Sequence, residues 1–213
     1  MLIVKYILLL ALLAIGVFFY FKKGKPLIIK ALCSTLVFAY AISGALGGAG
    51  NPAFRFLLVG GLLCCLIGDI AINFSLIAGM AVFAAAHICF IAGFITAGFL
   101  APPAAPLTAF AILCGLTLFT IFKLKMAAKE ILPAACVYSV LITFMVSLAV
   151  CSPARYGGAA FTLSLASGSV LFMASDILLA IVTSAKGGNK LDYISLSTYY
   201  LATSLFAFSL NII

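Results

Sequence analysis

The sequence predicts an all-α polytopic membrane protein with about eight transmembrane helices in one bundle. Three observations carry that prediction: apolar residues make up 67% of the 213-residue chain, charged residues only 8%, and the mean hydropathy is +1.38. A soluble domain keeps about 25% charged residues to present a wetted surface, so this chain is not expected to dissolve as a globule. One crossing takes about 20 apolar residues, and at about 27 residues for a helix and its loop the chain forms a single transmembrane domain over residues 1–213. No soluble domain fits beside it.

Apolar runs between turn and charge signals place the helices at 2–21, 27–46, 54–72, 75–99, 104–122, 131–150, 159–184 and 192–213. The first has Lys5 ahead of an apolar stretch, as a signal peptide would. It lacks a small-x-small cleavage site and runs into Lys22, Lys23 and Lys25, the flank of a retained helix. Pro26 opens the second helix, Gly47 to Pro52 separates the second from the third, and Asn73 to Ser75 divides the third from the fourth with no charge to mark it. Pro102 and Pro103 precede the fifth, the segment from Lys123 to Glu130 precedes the sixth, and the segments 152–158 and 184–192 precede the last two. Several of these breaks are short enough to make sequence neighbours antiparallel hairpins.

The formal charge of +8 is spread in small groups at helix ends, with no basic tract of the kind that grips nucleic acid, so no nucleic-acid partner is expected. Loops after odd-numbered helices and their flanks hold Lys22, Lys23, Lys25, Lys30, Lys123, Lys125, Lys129, Lys186 and Lys190, against Lys5, Arg55 and Arg155 on the other side. That bias puts the odd loops in the cytoplasm and both termini outside, and the membrane is expected to be the inner membrane of a bacterium. Cys33, Cys64, Cys65, Cys89, Cys114, Cys136 and Cys151 form no C-x-x-C pair and read as packing residues rather than disulfides or metal ligands. The single histidine excludes a site of three imidazoles. No metal and no cofactor are expected.

The chain has only four acids. Glu130 and Asp192 stand at loop edges beside Lys129 and Lys190 and read as solvated. Asp69 and Asp176 lie inside spans, where an ionisable group is costly and marks function by default. Counted from the cytoplasmic helix ends, Lys30 and Asp69 lie within about a turn, Tyr138, Asp176 and Tyr200 about 10–12 Å in, and His87 about 18 Å in. Six polar groups on six helices therefore share one half of the membrane, which scattered structural residues need not do.

Taken singly, most of these residues have an ordinary reading. Lys30 snorkels, Asp69 pairs with a nearby lysine, His87 bonds helix to helix, and Tyr138, Tyr199 and Tyr200 are interfacial aromatics. Asp176 resists such a reading, because no cation is near it in sequence. The two aspartates also share a context, a small residue, Asp and then Ile, on helices of one direction, as a four-helix duplication would leave them. Gly44-x-x-x-Gly48 reads as close helix packing.

Together, Pro26 and Lys30 at the start of the second helix, Gly68-Asp69 closing the third, His87 in the fourth, Tyr138 in the sixth, Ser175-Asp176-Ile177-Leu178-Leu179-Ala180 in the seventh and Tyr199-Tyr200 in the eighth resemble the YhhN family of integral membrane proteins. The resemblance covers helices two to eight. It implies the fold and a lysoplasmalogenase activity, hydrolysis of the vinyl-ether bond of a lysophospholipid substrate to a fatty aldehyde and a glycerophospho head group. Members often carry Ala-Gln after the tyrosine pair, where this chain has Ala202-Thr203.

Vinyl-ether cleavage begins by protonating the β-carbon, which creates an oxocarbenium ion that water attacks. The chemistry needs one carboxyl that holds a proton and one anion beside the developing cation. A carboxyl withdrawn from water favours its neutral form, so Asp176, the deeper in the bilayer, is the expected acid. Asp69, nearer the aqueous edge, is the expected anion. His87 is expected to orient a carboxyl or relay protons, Tyr138, Tyr199 and Tyr200 to position a carboxyl or the ether oxygen, and Lys30 to hold the lipid phosphate.

An intramembrane aspartyl protease would carry Gly-x-Gly-Asp, and position 66 here is Leu. A proton-coupled carrier of a small molecule or lipid is the alternative, since intramembrane Asp and His also build proton relays. Such a carrier is expected to break its helices at the site.

Overall fold

The computed structural model describes residues 2–48, 50–124, 129–156, 158–186 and 188–213, with the side chains at 124, 155, 185 and 186 outside that description. Among the described residues eight α-helices follow one another: α1 (Leu2–Lys22), α2 (Leu27–Gly47), α3 (Pro52–Ala71), α4 (Leu76–Thr96), α5 (Ala104–Leu124), α6 (Leu132–Arg155), α7 (Ala160–Ile181) and α8 (Asn189–Ser209). At 20 to 24 residues each, and a rise of about 1.5 Å per residue, they match the hydrocarbon depth of about 30 Å. The basic segment before α6 falls partly on residues 125–128, so Lys125 lies outside the described residues.

Local chemistry explains where helix ends differ from the hydropathy reading. The Asn51 side chain accepts from the Ala53 N–H at 2.9 Å and Pro52 occupies the first turn, so α3 starts two residues earlier than expected. Ser75 caps α4 by accepting from the Ala78 N–H, which settles the uncharged break before it. Gly98 at φ +83° closes that helix, which stops at Thr96 rather than 99.

α6 runs past its expected end at 150 and carries Pro153 inside. Proline has no N–H to offer the Ala149 carbonyl, and Ser152 Oγ donates there instead at 2.7 Å. α7, expected as one helix to 184, passes into a π-turn over Val182–Lys186. α8 begins three residues before its expected start and ends four before its expected end. Beyond it the Asn211 amide donates to the carbonyls of Tyr40 and Ala207, tying the following segment to α2.

Seven of the eight helices are long and apolar enough to cross a membrane alone; α8 is as long but more polar. It tolerates that polarity because α7, α2 and α1 surround it and because its hydroxyls donate to its own carbonyls, as Thr203 does to Tyr199 and Ser209 to Phe206. The pairs α1–α2, α2–α3, α3–α4, α4–α6, α6–α7, α7–α8 and α8–α1 form a closed circuit. α5 stands outside it, resting on α6 and exposing Ile112, Leu116 and Phe119. Such exposure suits a lipid-facing helix.

The tightest pairs, α3–α4 and α7–α8, are built alike. Gly61, eight residues before Asp69, receives the Phe90 ring of the next helix. Gly168, eight residues before Asp176, receives the Phe206 ring of the next helix. A Cβ at either glycine would collide with the ring. The two rings meet with centroids 4.8 Å apart, both fully buried, and Phe172 packs edge-on against Phe90 at 6.5 Å. This common construction adds to the short Asp-Ile likeness of α3 and α7, the pattern a four-helix duplication would leave.

Candidate active site

Of the seven residues singled out in the sequence, six separate into two hydrogen-bonded groups, and His87 stands beside the second without a hydrogen bond to it. The first surrounds Asp69, one turn from the end of α3. Lys30 Nζ of α2 lies 3.1 Å from Oδ1, while Ser34 Oγ and the Tyr199 hydroxyl of α8 donate to Oδ2 at 2.5 and 2.8 Å. The Tyr200 hydroxyl donates to the Lys30 carbonyl at 2.9 Å and lies 3.3 Å from Ser34 Oγ. Helices α2, α3 and α8 are thereby joined through one carboxylate. Asp69 is 1% exposed, so its place near a helix end does not make it wet. Lys30, expected to hold a lipid phosphate, has its ammonium engaged with Asp69.

Ser34 was absent from the sequence candidates. Its signal was its spacing, because a residue four after Lys30 lies on the same helix face.

The second group is smaller and more open. Asp176 of α7 is half-buried, and the Tyr138 hydroxyl of α6 donates to its Oδ2 at 2.6 Å. Both side chains line a cleft of about 370 Å³ that separates α5 from α4 and α7, with α6 as its floor. Its walls are largely apolar, with Phe83, Leu113, Leu116, Ile142 and Met173 among them. Asp176 is the only carboxyl among the lining residues; Asp69 and Lys30 do not reach the cleft.

His87 stands behind Tyr138, with ring centroids 5.0 Å apart, and is fully buried. Its Nδ1 lies 2.6 Å from the Phe83 carbonyl. A carbonyl only accepts, so Nδ1 carries the proton and Nε2 is left as an acceptor. Nε2 has no partner among the described residues.

Asp192, expected to be solvated beside Lys190, instead pairs with Lys25 of the α1–α2 turn at 2.5 Å. Lys22, Lys23 and Lys25 of the same segment lie over the rings of Phe18, Phe19 and Phe21 at 5.6, 5.8 and 5.3 Å. α3 and α7 pass through Asp69 and Asp176 as unbroken α-helix.

The arrangement provides a carboxyl with a phenol partner on the wall of an apolar cleft, a second carboxyl fixed by an ammonium and two hydroxyls, and a buried imidazole acceptor between the cleft wall and the core. A carboxyl so placed is suited to exchanging a proton with an apolar ligand in the cleft. Comparison with curated proteins and with solved structures finds no match. Residues 25–210 match the model of the YhhN family. The chain is a member of the YhhN family.

Proposed function

We propose that the protein hydrolyses the vinyl-ether bond of lysoplasmalogens, releasing a fatty aldehyde and a glycerophospho head group. The observation that carries this reading is the Asp176–Tyr138 pair on the wall of the apolar cleft. A substrate that is mostly hydrocarbon and reacts by taking a proton on carbon needs that combination. Family membership supports the same activity, because the YhhN family includes lysoplasmalogenases.

In this mechanism the Asp176 carboxyl transfers its proton to the β-carbon, and the C=C electron pair forms the new C–H bond. The resulting oxocarbenium ion faces the carboxylate just formed, and the Tyr138 hydroxyl holds that carboxylate in place. Water adds to the α-carbon and returns a proton to Asp176. The hemiacetal then collapses to aldehyde and free hydroxyl, so one water is consumed and Asp176 ends as it began. Asp69 adds a fixed negative charge behind the site, and His87 Nε2, behind Tyr138, accepts from the Tyr138 hydroxyl as it shifts. Tyr199 and Tyr200 hold Asp69 and Lys30 in position.

A proton-coupled carrier is less well supported, since α3 and α7 are continuous at both aspartates. The site is proposed to face the cytoplasmic leaflet of a bacterial inner membrane, which labelling of single cysteines in the α1–α2 turn of sealed cells would test. Activity is tested with purified protein and a lysoplasmalogen. Fatty aldehyde should appear, while an ester-linked lysophospholipid should yield no fatty acid. Release of fatty acid would make the protein an esterase, and transport without turnover would make it a carrier.

A further inference from the structure

The cleft is apolar along most of its length, and what gives its occupant a direction is that, among the described residues, only the end toward the α5–α6 and α7–α8 connections lies beside free cations. It spans Ile131 to Ile142 along α6, about 17 Å at 1.5 Å per residue. That is close to one leaflet's share, about 15 Å, of the hydrocarbon depth. Thr120 and Thr183 line the end nearest the α5–α6 and α7–α8 connections, whereas Leu113, Ile142 and Met173 line the inner end. Tyr138, and with it Asp176, lies about 10 Å from the connection end and about 6 Å from the inner end.

One turn past Thr120 is Lys123, and two residues before the lining residue Ile131 is Lys129; both are exposed, and neither makes an ion pair among the described residues. Glu130 is the one acid of that segment, against Lys123, Lys125 and Lys129. Lys30 is engaged with Asp69 away from the cleft, so the cations at this end are the ones an anionic head group would meet.

We infer that the cleft binds a single-chain lipid with its head group toward the α5–α6 connection, its phosphate held by Lys123 and Lys129, and the first part of its chain against Leu113, Ile142 and Met173. The inference rests on the hydrolase reading for which bond lies at Asp176, but not for the binding itself. With the phosphate at the lysines, the glycerol spans the stretch to Asp176 and the ether carbon arrives at the carboxyl. The inner end is too short for a whole chain. The remainder leaves sideways past α5, which packs on α6 alone of the cleft's walls, so chain length beyond the first few carbons is not selected.

The test uses the full-length protein in nanodiscs and two saturated ether probes, which vinyl-ether chemistry cannot cleave. One is a 1-O-alkyl-glycerophosphoethanolamine and the other a 1-O-alkylglycerol, each with a photoactivatable group on the chain. The phosphate-bearing probe should label α5, α6 and α7 near Leu113, Ile142 and Met173 about tenfold more efficiently than the glycerol, as charge-assisted contacts to phosphate would give. K123Q/K129Q should abolish that preference and leave glycerol labelling unchanged. Equal labelling by both probes overturns the inference, as do a preference that survives the double substitution and labelling confined to residues outside the cleft. Labelling as expected without aldehyde release from a lysoplasmalogen would defeat the hydrolase reading and leave this one standing. Aldehyde release with labelling unchanged by K123Q/K129Q would do the reverse.

Discussion

Asp69 and Asp176 occupy matching places on α3 and α7, yet their surroundings differ in kind. Each receives a hydroxyl from the preceding helix, Ser34 of α2 for Asp69 and Tyr138 of α6 for Asp176. Around Asp69 the coordination is then completed by the Lys30 ammonium and the Tyr199 phenol. The position corresponding to Tyr199, seven residues before the ring that fills the glycine, is Phe83 in the other half. Four residues before Tyr138, where Lys30 stands before Ser34, the chain has Ala134. Losing one phenol and one ammonium leaves Asp176 with a free side, and the cleft lies there. One half of the repeat thus closes its carboxyl into a helix clamp, and the other keeps its carboxyl available to a ligand.

The largest effect is expected from Asp176→Asn. Aldehyde release should fall by about a thousandfold or more, because an amide cannot protonate carbon. Thermal stability in detergent should change little, since only the Tyr138 contact is altered. Asp69→Asn should show the opposite balance, leaving the Lys30 ammonium buried without its counter-charge and costing about 3–5 kcal/mol of stability. Adding Lys30→Met should restore the melting temperature without restoring turnover if the Asp69 charge serves the reaction. Recovery of both would make the first group purely structural. Asp69→Asn/Asp176→Asn should turn over little less than Asp176→Asn, because groups acting as a unit are not additive.

The correspondence between halves makes a sharper prediction at Phe83. Phe83→Tyr places a phenol on the cleft wall, where it would occupy a carboxyl oxygen of Asp176 as Tyr199 occupies one of Asp69. Turnover should drop about tenfold with the fold intact, and unchanged kinetics would break the correspondence. The smallest effect belongs to Lys25→Ala. Its pair with Asp192 is 39% and 23% exposed, and losing it should lower stability by less than about 1 kcal/mol in a melting experiment.

Much of the candidate site was legible because charge inside an apolar run is conspicuous. Asp69, Asp176, His87, Tyr138 and Tyr199 all lie at or behind the two carboxyl groups. Ser34 was legible only as the residue four after Lys30 on one helix face, since serine is common in membrane helices and its role depends on the partner from another helix. The partner of Lys30 was hidden for a related reason. Its depth suited a phosphate, but the Asp69 carboxylate approaches it from another helix. The Lys25–Asp192 pair joins positions 167 residues apart, and no local pattern reports such a meeting.

By itself the sequence determined the all-α membrane class, the helix number, the short antiparallel connections and the residues carrying charge within the bundle. These follow from composition and from periods of a few residues, which act within one helix and its contact with lipid. The tertiary structure alone decided which carboxyl is closed and which is open, because that depends on what α8 brings to α3 and α4 brings to α7. It also decided that polar α8 lies among other helices, and that α5 stands away from α4 and leaves the cleft. Close packing between helices turns on single atoms, such as the phenol oxygen that Tyr199 has and Phe83 lacks, and hydropathy carries no record of which atoms meet.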